Sequence, residues 1–148
     1  MDNSQKSLKT TSFELTGRQG AKQWITRSAA RAMLRAVGFE DKDFEKPIIA
    51  LACPYTNGTP CNAHLDSLGK ILQEEIGKCG GKDIIFGTPV ISDGISMGTI
   101  GMKYSLVSRE LIADSIESMI EGYLVDGALT LSGCDKSIPG SLMPLARS

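Results

Sequence analysis

The chain of 148 residues carries 16 Lys and Arg against 17 Asp and Glu, a formal net charge of −1, with 41% hydrophobic residues, enough for one domain around a single apolar core and too short for a second of ordinary size. That charge balance excludes sequence-independent nucleic-acid binding, which needs an excess of Lys and Arg to neutralise phosphates. No run of about 18 apolar residues is available to span a bilayer, and the opening MDNSQKSLKTTSFELTG has neither a signal peptide's apolar core nor the acid-poor character of a transit peptide, so a cytoplasmic protein without a membrane partner is the expectation.

Residues 1–20 are polar and aperiodic, which predicts a flexible or partner-dependent arm. From Ala21 onward Ile25, Ala29, Ala32, Met33 and Ala36 recur at three- and four-residue spacing. This predicts a helix with an apolar stripe, stopped by Gly38 in the left-handed conformation. After the charged connector FEDKDFEK, Pro47 leads into the continuous apolar run 48–52, typical of a strand buried on both faces. The segment PYTNGTPCN is dense in turn formers. A second helix follows with Leu65, Leu68, Leu72 and Ile76 on one stripe, ended by Gly77, Gly80 and Gly81, and Ile84, Ile85 and Phe86 form a second strand.

A long Gly-rich loop then leads to a third helix, capped by Ser108, with Glu110 in its positive first turn and Leu111, Ile112, Ile116, Met119 and Ile120 toward the core. Residues 128–131 form a third strand, and SGCDKSIPG turns into a further helix that Ser148 interrupts, an end that reads as cut. The alternation predicts an α/β domain over residues 21–148, a parallel sheet with flanking helices and right-handed crossovers.

In open α/β sheets functional groups collect in the loops beyond the carboxyl ends of the strands, here residues 53–62, 87–105 and 132–140. Without an export signal, Cys53, Cys61, Cys79 and Cys134 read as reduced thiols or metal ligands, not a disulfide framework. Cys61, directly after Pro60 at the mouth of a helix, is either a thiolate suited to metal or a buried or capping cysteine. Cys53 reads as core. Cys79 lies at the far end of its helix from Cys61, badly placed to join it.

Cys134, Asp135 and Lys136 in succession form either a site shared by two ions, or by an ion and a substrate, or a solvated turn. Asp93 and Asp135 would offer the hard carboxylate oxygens that Mg²⁺ prefers. Gly94, Gly98 and Gly101 could instead cradle a phosphate, but Gly101 followed by Met102 and Lys103 breaks the order of a nucleotide-binding loop. His64, three residues after Cys61, could form half of a zinc site; zinc's need for further ligands makes a structural or supporting role the better reading.

The strings TPCNAHLDS at 59–67, ISDGISMGTIGMKYSLVSRELIADSIE at 91–117 and CDKSIPGSLM at 134–143 closely resemble the dihydroxy-acid dehydratase family, which includes sugar-acid dehydratases. The likeness runs in order from about residue 27 to the end. It implies that Cys61 and Cys134 are two of three cysteines holding an iron-sulfur cluster, 2Fe-2S or 4Fe-4S. It also implies that Asp93 and Asp135 bind Mg²⁺, with Lys136 carbamylated to give a further oxygen. The implied reaction dehydrates small 2,3-dihydroxy acids to 2-keto acids on the way to valine, isoleucine and leucine, in a homodimer.

Family members are several times longer than this chain, and the third cysteine, a further acidic ligand and the serine base belong to the part not matched here. The expectation is therefore an N-terminal fragment, inactive alone and marginally folded. A sugar-acid (aldonate) dehydratase and a non-catalytic metal-binding relic are the alternatives.

Overall fold

The computed structural model describes residues 10–147, so the first part of the expected polar arm lies outside the described residues. The remainder of the arm is not free. Helix α1, Ser12–Thr16, ends at Gly17 in the left-handed conformation and buries Ser12 and Thr16. Its backbone and hydroxyl donors converge on one carboxylate: Asp126 accepts from the Ser12 amide at 3.0 Å, from the Ser12 hydroxyl at 2.5 Å and from the Thr11 hydroxyl at 3.3 Å. Asp126 also accepts from the Ile48 amide at 2.8 Å, which pins the segment to the start of the first strand.

The single helix expected from Ala21 is two, α2 at Ala21–Thr26 and α3 at Ser28–Ala36, broken at Arg27. Gly38 takes a φ of +94° as expected of a helix stop. The predicted apolar stripe does not enter the core: Ile25 and Met33 are 72% and 73% exposed, and Ala29, Ala32 and Ala36 are exposed with them. The one buried residue of α3 is Arg31. Its guanidinium donates to the Thr16 carbonyl at 2.8 Å and to the Trp24 carbonyl, and lies 3.4 Å from the Trp24 ring centroid. Carbonyls left over at the ends of α1 and α2 thus select a cation, and that choice turns the apolar stripe outward.

The three strands fall where the apolar runs predict: β1 at Ile48–Ala52, β2 at Lys82–Phe86 and β3 at Gly127–Thr130. They form one parallel sheet in the order β2-β1-β3, with Leu51 opposite Ile85 on one side and Leu129 on the other. Helix α4, Leu65–Lys78, crosses from β1 to β2. After α5, Asp93–Ser96, the long α6, Lys103–Gly122, carries the chain past β1 to β3, and α7, Ser137–Arg147, packs against α6. The α/β class is as expected.

Alternation along β1 sets Ile48, Ala50 and Ala52 on one face of the sheet. Ile48 and Ala50 pack with Phe39, Phe44, Val125 and the edge residues Ile84 and Ala128, while Ala52 packs with Ile112 and Ile116 of α6. On the opposite face α4 lies so close that a Cβ on Gly69 would stand 3.1 Å from Ile85 Cδ1 and 3.3 Å from Cys53 Sγ. Leu65 and Ile76 of the predicted α4 stripe are buried, whereas Leu68 is 40% exposed.

Helix α6 starts five residues before the expected cap. A 3-10 turn at Ile100–Met102, capped by Thr99 accepting from the Gly101 amide at 3.1 Å, runs straight into it. Ser108 therefore sits inside the helix, buried, donating to the Ser105 carbonyl at 2.6 Å. Of the expected core residues Ile112 and Ile116 are fully buried, and Leu111 is 48% exposed. Among the described residues no helix is long and apolar enough to cross a membrane.

Candidate functional site

Because the strands are parallel, the loops after β1, β2 and β3 leave the sheet at the same edge. They meet in a cleft of about 460 Å³ whose walls include Thr59, Cys61, Asp93, Gly133, Cys134 and Asp135. Two thiols and two carboxylates from three loops thus face a common space.

The first wall is a tight turn. The Thr59 carbonyl accepts from the Asn62 amide at 3.3 Å and from the Ala63 amide at 3.1 Å, and the Thr59 hydroxyl accepts from the Cys61 amide at 3.4 Å. Helix α4 begins only at Leu65, so Cys61 stands in the turn before the helix and not in its first turn. Cys53 is buried, its thiol donating to the Leu65 carbonyl at 3.2 Å. Burial first, and then nearby Asp66, push its thiol above the ordinary range. It is core, as expected. Cys79 is exposed at the C-terminal end of α4, and His64 is exposed at its start and outside the cleft wall.

The third loop is organised by Ser137, whose buried hydroxyl accepts from the Gly133 amide at 3.2 Å and the Cys134 amide at 2.9 Å and donates to the Cys134 carbonyl at 3.1 Å. Gly133 is required by proximity: a Cβ there would lie 2.1 Å from the Cys61 carbonyl oxygen. That approach sets Cys134 beside Cys61. The Cys134 thiol is pushed up to about 11, by burial above all, then by its hydrogen bond to Asp135 and by the neighbouring Cys61 thiol. Cys134 Sγ lies 3.3 Å from Asp135 Oδ1, joining the sulfur end of the cleft to its oxygen end.

At the oxygen end Asp93, first residue of α5, accepts from the buried Ser105 hydroxyl with one oxygen and from Lys136 Nζ at 2.9 Å with the other. Lys136 also donates to Asp135 at 2.6 Å. The hydrogen bond from Lys136 is the main influence holding the Asp135 carboxyl below its usual range, and Asp135 then Asp93 hold the Lys136 ammonium above its own. The carboxylates therefore already bind a cation, the lysine's own. Of the glycines considered for a phosphate cradle, Gly94 lines the cleft while Gly98 lies exposed with φ +77°.

The structure thus draws together all five residues singled out in the sequence, Cys61, Asp93, Cys134, Asp135 and Lys136. Among the described residues no three His, Cys, Asp or Glu side chains stand close enough to hold a metal ion unaided. Three supporting residues escaped the sequence reading: Ser105, Ser137 and Gly133. A small residue directly preceding Cys134, and a serine three residues after it, were the available signals.

The sequence profile described as Dihydroxy-acid/6-phosphogluconate dehydratase N-terminal matches residues 46–148. The chain belongs to that family. More particularly, it is 55% identical over 125 residues to dihydroxy-acid dehydratase 2 of Acinetobacter baylyi, covering 83% of this chain and 22% of that protein. It is 54% identical over 125 residues to dihydroxy-acid dehydratase of Prochlorococcus marinus strain AS9601 and 55% identical over 123 residues to that of Synechococcus sp. strain CC9605, covering 84% and 83% of this chain and 22% of each relative. The chain spans about a fifth of the length of these relatives.

Proposed function

We propose that these residues form the N-terminal part of a dihydroxy-acid dehydratase, converting 2,3-dihydroxy-3-methyl acids to 2-keto acids in branched-chain amino-acid biosynthesis. The observation that carries the reading is the cleft itself, where a soft pair, Cys61 and Cys134, meets a hard pair, Asp93 and Asp135, from three different loops. Soft thiolates suit iron-sulfur clusters and carboxylates suit Mg²⁺. The relatives' names favour a dihydroxy acid over an aldonate as substrate.

The donor set fits both groups in part. Cys61 and Cys134 would hold one side of a cluster, with the remaining thiolate coming from outside these residues. Asp93 and Asp135 would hold Mg²⁺ in the space where they now hold the Lys136 ammonium. Bound there, the two groups would supply Lewis acidity toward a departing hydroxyl and a substrate carboxylate.

The chain's own residues do the positioning. The Ser105 hydroxyl occupies one oxygen of Asp93 and leaves the other turned toward Lys136. Ser137 fixes the backbone of Cys134 so that its sulfur faces the cleft. The Lys136 ammonium must lose its proton before it can take up carbon dioxide, and both aspartates oppose that loss. Cation binding and lysine carbamylation would therefore be coupled: with a divalent ion held by Asp93 and Asp135, the Lys136 ammonium would release two protons in all and add one carbon dioxide to become the anionic carbamate.

The test is a chimera in which residues 46–148 replace the matching segment of the Acinetobacter enzyme, purified without oxygen. Turnover of 2,3-dihydroxy-3-methylbutanoate with visible iron-sulfur absorption supports the proposal. A folded, colourless and inactive chimera would contradict it.

A further inference from the structure

Asn62 adjoins Cys61 and is completely buried, with a relative exposure of 0%. Its side-chain amide donates to the Pro54 carbonyl at 2.6 Å, spanning eight residues from the turn back to the loop two residues past β1. That bond settles which way the amide points, because the reverse orientation would set two carbonyl oxygens against each other. The other end, Oδ1, is then turned toward the third loop, 3.7 Å from where a Gly133 Cβ would stand, and has no hydrogen-bond partner. Asn62 thus stands between Pro54, just past β1, and the Gly133 segment that carries Cys134.

We infer that Asn62 is a positioning residue, a buried strut that holds the Cys61 turn in register with Cys134. The inference rests on the reading of Cys61 and Cys134 as a working ligand pair. The Cys61 amide has only a long 3.4 Å bond to the Thr59 hydroxyl, whereas Asn62 makes a short bond to buried Pro54, just past β1. Removing the amide donor leaves the turn tied at its Thr59 corner, free to shift Cys61 away from Cys134 while the sheet and α4 remain intact. Burial of the Pro54 carbonyl makes the lost bond costly, since an unpaired buried acceptor carries its whole desolvation penalty.

The probe is Cd²⁺ alone, added without oxygen to the reduced 148-residue chain, followed by thiolate-to-metal charge-transfer absorption. Cys61→Ser and Cys134→Ser variants identify the pair, and thermal melting reports the fold. Asn62→Asp keeps the shape and Oδ1 but puts an acceptor against Pro54; it is expected to melt cooperatively and bind Cd²⁺ about tenfold or more weakly. Asn62→Ala is the second variant, with the same expectation.

Parent-like Cd²⁺ affinity in a folded Asn62 variant would overturn the inference and leave the pair standing. A parent chain whose Cd²⁺ signal ignores both cysteine substitutions would overturn the pair, and this inference with it. If neither variant folds, Asn62 is a folding residue and the positioning role is refuted.

Discussion

The Asp43 carboxylate is 4% exposed and satisfies its burial with two donors, the Glu40 amide at 3.0 Å and Lys46 Nζ at 2.7 Å, and with the Lys82 ammonium 3.7 Å away. Desolvation is the largest single influence and works upward, but these partners together outweigh it and hold the carboxyl below its usual range. A carboxyl so lowered stabilises the fold fully above the unfolded value near 4 and loses that contribution as pH falls through the lower folded value. Asp43→Asn is expected to cost about 1–3 kcal/mol at neutral pH and to narrow the gap from the parent below about pH 3. Urea titrations at both pH values measure it. At the cleft, Gly133→Ala would drive a Cβ into the Cys61 carbonyl, with an expected loss of about 1–3 kcal/mol and a weakened Cd²⁺ response from the cysteine pair.

At the scale of elements, apolar runs and their punctuation were readable where packing is symmetrical. The run 48–52 became the central strand because it has neighbours on both sides and helices on both faces. The order of strands and helices, and hence the meeting of three loops, followed from the same alternation. Helix faces were less readable. Periodicity marks an apolar stripe through Ile25, Ala29, Ala32, Met33 and Ala36, yet Arg31, capping the carbonyls of Thr16 and Trp24, decides which side docks. The buried strut Asn62 carried no sequence sign, because its meaning depends on the distance between two loops. The docking of α1 depends likewise on Asp126, 114 residues away from Ser12. Asp126→Ala is expected to remove hydrogen-exchange protection from residues 12–17 and from the Ile48 amide while leaving that of residues 49–52 and α6 near parent level, which exchange mass spectrometry reads directly.

For the molecule as a whole, the sheet's carboxyl edge carries the chemistry while its periphery carries apolar side chains without polar cover. Met33 and Val37 are examples, at 73% and 74% exposure. A Met33→Glu, Val37→Lys double variant is expected to change unfolding free energy by no more than about 0.5 kcal/mol per site, measured by urea titration. We propose that the two thiols and two carboxylates brought together in the cleft from three loops hold the metals of a dehydratase. Iron and acid-labile sulfide content of the oxygen-free chimera, with and without Cys134→Ala, tests it most directly. The expected result is a full cluster in the parent chimera and loss of most iron and sulfide in the variant; an undiminished cluster in Cys134→Ala would contradict it.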